Sequence, residues 1–514
     1  VSSGKTQTSI HPRLHVTRRE DLRSFVKCRK FVRLSGISPP LDIMPFNNCI
    51  DTLEKAVNER VFFVKSKDGT FVEPPKPTYK HFATTMSVVG ERIVHEMEKT
   101  VPLSRPAFVD TFRGRKHIMY SSAYQSLLRK GMTDKDAEIR VFVKSEKTDF
   151  TTKKNPVPRV ISPRNPRYNI EVGRFLRKIE EPLFRAIGRV FGHTTVIKGF
   201  DAVKSAALLH EKWSMFTHPV AVGLDASRFD QHVSKPALVY EHDIYKRCFA
   251  FKHHRTRLAR LLKLQLENKC RGYVPDGKLS YTTDGGRMSG DMNTSLGNCL
   301  IMCSMIKSYL DQKGINGQLA NNGDDCVVFM EKKDLVAFQD GLFDWFVKMG
   351  FNMTMEEPVC QFEQIEFCQT KPVFDGTKYI LCRKPQTALA KDTVLLKPGT
   401  TVPLIRTWLD AVGKGGLSLT GGLPVFQDFY QMYIRSGSET GLKMNDHAFS
   451  WGVRHLIGDL NNKYRDVLPV TRASFYWAFG ITPDAQIELE KVYRNLTIDV
   501  LKSSALLFRH DLCL

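Results

Sequence analysis

The stretch Leu319-Ala320-Asn321-Asn322-Gly323-Asp324-Asp325-Cys326-Val327-Val328-Phe329-Met330 decides how the rest of the chain reads. Residues 326–330 form a short apolar run, β-branched and aromatic, which predicts a buried strand. Asn322-Gly323 is a strong hairpin signal. The pattern is therefore strand, tight turn, strand, with Asp324 and Asp325 carried on the turn. Two neighbouring carboxylates beside an apolar strand repel each other and lose hydration unless a cation holds them. A hard divalent cation with oxygen ligands, magnesium above all, is the usual partner. Taken alone, Gly-Asp-Asp reads more readily as an acidic surface turn. Its meaning depends on what stands around it and in what order.

Upstream, residues 220–225 read Val-Ala-Val-Gly-Leu-Asp, a strand entering from His218-Pro219 and ending in Asp225-Ala226-Ser227-Arg228-Phe229-Asp230. Carboxylates at strand ends sit where open α/β sheets place their ligands. Between the two acidic stretches lies Arg287-Met288-Ser289-Gly290-Asp291-Met292-Asn293-Thr294-Ser295-Leu296-Gly297-Asn298. Ser289-Gly290 reads as a flexible loop, and Asp291 favours the start of a helix through its dipole. Met292, Leu296, Cys299, Cys303, Ile306 and Leu310 recur every three or four residues, so one helix face is core. Thr294 and Asn298 stack on a second face and need partners if buried.

Further upstream, Ile139, Val141 and Val143 alternate with Arg140, Phe142 and Lys144, which predicts a strand. Lys144, Lys147, Lys153, Lys154, Arg159, Arg164 and Arg167 follow, with prolines interleaved. Pro156-Val157-Pro158-Arg159-Val160-Ile161 is stiff and extended. Fixed cations suit a triphosphate because they need no reorganisation as charge moves. Downstream, residues 335–349 have helical spacing up to Gly350. Residues 365–373 are a strand candidate, which Asp375-Gly376 turns into 379–382 as a hairpin.

The 514 residues are too many for one core and imply roughly two to four domains or subdomains. With 42% hydrophobic and 25% charged residues the chain is globular rather than disordered. The formal charge of +22 calls for a polyanionic partner, nucleic acid first and anionic membrane second. No apolar run of about 18 residues predicts a transmembrane helix. The first residues lack a signal-peptide layout and an initiator Met, which suggests a processed, fused or truncated product. The 11 cysteines include no CxxC pair. That usage suits a reducing compartment and argues against a disulfide framework or zinc site, with Cys299 and Cys303 as core thiols.

Residues 1–85 are basic and punctuated by proline, with connectors at Pro39-Pro40 and Pro74-Pro75-Lys76-Pro77. Arg18, Arg19, Arg23, Lys27, Arg29, Lys30 and Arg33 crowd an expected helical stretch facing RNA phosphates, acidic lipid or only solvent. Residues 86–135 look helical, with Gly114-Arg115-Lys116-His117 as a small basic loop. Residues 236–284 begin helical and basic and end in short strands around 272–277. Residues 386–514 are mostly helical in pattern, with loops at 413–416 and Gly421-Gly422.

In order, a stiff basic strand, DxxxxD, SGxxxTxxxN, GDD and a hairpin resemble the palm signature of RNA-dependent RNA polymerases of positive-strand RNA viruses. Gly223-Leu224-Asp225-Ala226-Ser227-Arg228-Phe229-Asp230 and Phe367-Cys368-Gln369-Thr370-Lys371-Pro372 look most like the tombusvirus family of plant viruses. The resemblance covers roughly residues 90–390. It implies an α+β, right-hand fold. Fingers would be 86–205 and 236–285, and a palm with an antiparallel sheet and flanking helices would be 206–235 and 286–385. A helical thumb would be 386–514, with 1–85 as a basic N-terminal extension.

The same resemblance implies template-directed nucleotidyl transfer from ribonucleoside triphosphates. Two magnesium ions about 4 Å apart, with manganese as a substitute, would be held by Asp225 and Asp324, with Asp325 secondary. Only antiparallel packing of the two strands would unite these residues. Asp230 and Asn298 would recognise the ribose 2′-hydroxyl, with Ser289 and Thr294 in the same network. Lys144 and Arg159 would contact the incoming triphosphate, Lys147 and Arg164 more weakly. Phe367, Cys368, Gln369 and Lys371 would grip the primer or nascent strand, with Arg164, Arg167 and Gly290 also on the RNA path. Residues 351–357 lack the basic residue that often serves as general acid, leaving Lys348 and Lys371 as candidates.

Implied partners are single-stranded template RNA, nascent RNA, ribonucleoside triphosphates, a membrane-anchored viral replication protein and host factors, with a homo-oligomer left open. The implied place is a membrane-bound replication complex in the host cytoplasm. Two other readings compete. A reverse transcriptase on the same palm would carry a bulky aromatic near the place of Asp230. A non-enzymatic RNA-binding protein such as a nucleocapsid accounts for the charge but not for the carboxylates.

Overall fold

The computed structural model describes residues 1–34, 36–37, 41–396, 401–438 and 451–501; the Pro39-Pro40 connector lies outside them. The apolar runs at both acidic stretches form neighbouring strands of one four-stranded sheet, in the order Gln318–Asn322, Asp325–Glu331, Pro219–Ala226, Met353–Met355. Every pairing in it is antiparallel. The runs lack alternation because the sheet is covered on both faces. Val220, Val222, Leu224, Val328 and Met330 belong to a core with Phe175, Leu300 and Cys303. Ala221, Val327 and Phe329 belong to a second core with Leu208, Trp408 and Phe429. Residues 326–330 are each 1% exposed or less, so a strand buried on both sides reads as a continuous apolar run.

The helix expected after Asp291 runs from Thr294 to Lys313, but it does not present a single apolar face. Every residue from 296 to 306 is buried, including Gly297, Asn298 and Ser304. A helix enclosed on all sides has no solvent stripe to alternate with. Residues 335–349 form two short helices, Leu335–Gln339 and Leu342–Lys348, broken at Asp340-Gly341.

A five-stranded sheet has the order Leu14–Arg18, Gly277–Asp284, Glu267–Val274, Ile139–Val143, Val160–Ile161. Its first strand comes from the residues expected to be a separate extension. Val32–Arg33 pairs with Val394–Leu395, and Ile43–Met44 with Thr148–Asp149, so this segment is stitched to distant parts of the chain. The basic stretch at 18–33 is not an α-helix. Arg18 pairs with Glu54, and Arg29 donates to the carbonyls of Phe46 and Val143, so part of the charge holds the fold. Gly114 to His117 form the first turn of helix Gly114–Arg129 rather than a loop.

Gly413 and Gly416, expected in a loop, lie inside helix Val402–Thr420. They are glycine because this helix crosses Phe426–Ser436 at close range. A Cβ on Gly413 would stand 2.9 Å from the Tyr430 carbonyl oxygen, and one on Gly416 would enter the Tyr430 ring. That ring cannot yield, because its hydroxyl bonds Asp392 and Arg383. Gly416→Ala is therefore expected to lower stability by about 1–3 kcal/mol through overpacking, despite alanine's better helix propensity. Urea denaturation of the two proteins checks it.

Lys212, on helix Ala202–Trp213, is fully buried with its Nζ 2.9 Å from His193 Nδ1. Burial pushes its amine down to about 7, whereas an unfolded lysine titrates near 10.4. Between those values the unfolded chain binds more protons, so this residue makes stability rise with pH. The unfolding free energy of wild type minus that of Lys212→Met is expected to increase from pH 7 to 9 by up to about 1.4 kcal/mol per unit. Among the described residues, no helix is long and apolar enough to cross a membrane.

Candidate active site

Strands Pro219–Ala226 and Asp325–Glu331 pair with Asp225 directly opposite Asp325. Opposed residues of an antiparallel pair have Cα atoms about 4.5–5.5 Å apart and side chains on one face. Pairing in the hairpin continues to Asn322 opposite Asp325, leaving Gly323 and Asp324 as the two-residue turn. The turn thus falls one residue later than Asn322-Gly323 suggested. Gly323 has φ +74°, the conformation that glycine takes without cost. Its amide donates to Cys299 Sγ at 3.2 Å, and buried Asn321 donates to its carbonyl at 2.7 Å, so the turn is held from below.

Asp225 and Asp324 are exposed and Asp325 is half-buried. Burial of their surroundings raises the pKa of all three above the usual carboxylate range. Asp324 raises Asp225 further. Asp325 is pushed up to about 7, first by burial and then by Asp324, Asp225 and Glu356, against the opposing bond from the Cys368 amide. Asp324 is eased by its own backbone amide and by Arg159. Among the described residues no ion pair neutralises any of the three carboxylates. Glu356 is a fourth acid that sequence reading passed over. A Cβ on Gly223 would run into its carboxylate, and nothing local in the sequence announces that contact.

Asp230 and Asn298 meet as expected: Asn298 Nδ2 donates to Asp230 Oδ1 at 2.9 Å. Burial raises Asp230, with the Asn298 bond and Arg287 opposing. Arg287 Nε donates to Asn298 Oδ1 at 2.9 Å, and the guanidinium grips Glu241. Neither Arg287 nor Glu241 was singled out from the sequence.

Residues 15–500 match the family described as viral RNA dependent RNA polymerase. The chain belongs to that family. It is 49% identical over 504 residues to the RNA-directed RNA polymerase of Oat chlorotic stunt virus (isolate United Kingdom), covering 95% of this chain and 67% of the relative. It is 42% identical over 467 residues to that of Tobacco necrosis virus (strain A), covering 91% and 64%. With that of Maize chlorotic mottle virus (isolate United States/Kansas/1987) it shares 39% over 497 residues, covering 97% and 51%. These relatives bear out the resemblance read from the motifs. The chain spans between about half and two thirds of their length.

In this polymerase-family chain the remaining cations of the site divide into those that reach solvent and those turned into the fold. Lys144 and Arg159 are open to solvent, both bridged to Glu146, at 3.1 and 2.8 Å. Lys147 instead turns inward. Its Nζ donates to the Lys391 carbonyl at 2.6 Å, and burial lowers its pKa to about 8. Arg164 is buried against Asp291, Asn268 and the Ala137 carbonyl. Arg167 is spent on Asp136, Ser126 and the carbonyls of Lys130 and Gly131. All three cations, expected on the triphosphate or RNA path, are committed here to partners within the protein.

Ser289 and Thr294 are likewise not in the Asp230 network. Ser289 Oγ accepts from the Ser162 amide and donates to the Val160 carbonyl, each at 3.1 Å, while Thr294 donates to the Met288 carbonyl at 2.8 Å. Gly290 lets this loop lie against Pro163, whose Cα a Cβ would approach to 2.6 Å.

Of the expected strand at 365–373, only Thr370–Phe374 is regular. Phe367 is buried, and Cys368 and Gln369 form a two-residue turn with φ 51° and 60°. This left-handed pair costs energy for residues with a Cβ. It aims the Cys368 amide at Asp325 Oδ2, 2.9 Å away. Gln369 is exposed at the tip. Lys371 lies half-buried in the field of Glu366 and Glu356.

Proposed function

We propose that this chain is the polymerase portion of a positive-strand RNA virus replicase, copying single-stranded RNA from ribonucleoside triphosphates. The observation that carries the reading is the register placing Asp225 opposite Asp325, beside Asp324 on its turn. The four-stranded sheet is then the palm, flanked by fingers at 86–205 and 236–285, with a thumb at 386–514.

Asp225 and Asp324 would hold two magnesium ions, or manganese in their place, with Asp325 behind them. The donor set fits. Three carboxylates crowd together without a counter-cation among the described residues, and each is easier to ionise once one arrives. Among those residues no group of three or more His, Cys, Asp or Glu is placed to hold a metal ion by itself, so the site is open. Magnesium suits such an open site, because it binds through one or two carboxylates and completes its shell with water and substrate phosphate. Bound there, the metal supplies activation of the attacking 3′-hydroxyl and stabilisation of the leaving pyrophosphate.

The chain's own groups do the rest. The Cys368 amide fixes the Asp325 carboxylate, and the buried strand pair fixes the spacing of all three acids. Half-buried Lys144 and exposed Arg159 receive the triphosphate, Arg159 within the field of Asp324. Asp230 accepts a hydrogen bond from the ribose 2′-hydroxyl and Asn298 donates one to it. A deoxyribose leaves both groups without that partner, which a buried polar site rejects strongly. An acid at 230 also disfavours the reverse transcriptase reading. A membrane-anchored viral replication protein and host factors in a cytoplasmic, membrane-bound complex belong to the same proposal.

The test is magnesium-dependent incorporation on single-stranded RNA, with and without primer, using ribo- and deoxyribonucleotides. Ribonucleotide incorporation that chelation abolishes is expected. RNA binding without any incorporation would overturn the reading in favour of a non-enzymatic RNA-binding protein.

A further inference from the structure

We propose that Arg287, held by Glu241, is a positioning residue that sets ribonucleotide selectivity by fixing which end of the Asn298 amide faces Asp230. This rests on reading Asp230 and Asn298 as the ribose site.

An asparagine amide has an acceptor end and a donor end, and only its partners decide which way round it sits. Arginine is a donor and nothing else. Arg287 Nε, 2.9 Å from Asn298 Oδ1, therefore pins the oxygen on its own side and turns Nδ2 toward Asp230. Reversal would set Asn298 Oδ1 against the Asp230 carboxylate, acceptor against acceptor. The donor that meets a 2′-hydroxyl would then be gone.

The anchor of this arrangement is rigid. Both side chains of the Arg287–Glu241 pair are almost wholly enclosed, 1% and 0% exposed. Glu241 also accepts from Asn293 Nδ2 at 2.7 Å, and Asn293 exchanges two bonds with Gln265, each 3.0 Å. A Cβ on Gly297 would strike both Arg287 and Glu241, so the helix carries glycine there to admit the pair. The backbone is tied in as well, since the Arg287 amide donates to the Asp230 carbonyl at 2.8 Å. Glu241 sits on helix Lys235–Arg247, outside every motif, and reaches the substrate only through Arg287 and Asn298.

The experiment compares single-site incorporation of a ribonucleotide and its deoxy counterpart on one RNA template. Wild type, Arg287→Lys, Asn298→Ala and Arg287→Lys/Asn298→Ala are assayed together. Lysine keeps a charge for Glu241 but loses the planar fork that also reaches Asn298. The ribo-to-deoxy ratio of kcat/KM is expected to fall about ten- to a hundredfold in Arg287→Lys. In the Asn298→Ala background the same change should have no further effect on the ratio. A residue that only supports the fold would lower both incorporations in parallel and leave the ratio intact, and that result overturns the proposal. Arg287→Met/Glu241→Leu, which leaves no unpaired buried charge, replaces Arg287→Lys if that variant does not fold, with the same ratio as readout. A wild type that incorporates no ribonucleotide would instead overturn the polymerase reading itself.

Discussion

Asp324→Ala is expected to reduce nucleotide incorporation at least about a thousandfold, because a catalytic metal contributes several kcal/mol and each 1.36 kcal/mol is a factor of ten. Asp225→Ala should do the same. RNA affinity should stay within about twofold, since it is set by phosphate neutralisation along the basic surface, and one carboxylate is a small change against a formal charge of +22. The loss should not come from misfolding. Asp324 sits exposed on a turn whose backbone is held by Cys299 and Asn321. Its removal relieves repulsion on Asp225 and Asp325, both of which it raises. The variant should therefore melt no lower than wild type. Incorporation, filter binding and thermal melting of one purified preparation separate these effects. Retained synthesis in Asp324→Ala sinks the assignment of the site.

The parts of this site that a reader of the sequence can reach are those written in local pattern. The apolar runs at 220–224 and 326–330 announce buried strands, and acids at their ends announce where the sheet is open to a ligand. Asn298 could be paired with Asp230 only through the resemblance to a known family, since nothing local to either residue points to the other. What escapes is non-local. Lys144, Lys147, Arg159, Arg164 and Arg167 are one list of cations by residue type. Only the fold shows that Lys147 faces a carbonyl near Asp392, while Arg159 faces solvent and the field of Asp324. Glu356 reaches the acids only because strand Met353–Met355 pairs beside Pro219–Ala226. The basic stretch at 18–33 misleads for a related reason. Counting charges cannot show that Arg18 ends a strand and meets Glu54. Gly416 reads as a loop until its neighbour across the helix crossing is known to be Tyr430.

Asp291 shows how large the difference between the two views is in energy. As a helix-start acid it would contribute about 0.3–1 kcal/mol through the dipole. In the structure it lies three residues before the helix and binds Arg164 through both oxygens, at 2.5 and 3.2 Å, with the two side chains 1% and 4% exposed. Asp291→Ala leaves that guanidinium buried with no anionic partner, only the neutral oxygens of Ala137, Leu264 and Asn268 and the Tyr168 ring 5.4 Å away. Removing one partner of such a pair costs about 3–5 kcal/mol. The loss should also loosen the neighbouring loop, whose Ser289 is docked on Val160 and Ser162. Arg164→Met/Asp291→Leu should recover most of the stability, because an apolar pair leaves no charge to desolvate. Urea denaturation of wild type, the single variant and the double variant measures all three. A loss below about 1 kcal/mol in Asp291→Ala would return the residue to the helix dipole and leave Arg164 free for RNA phosphate.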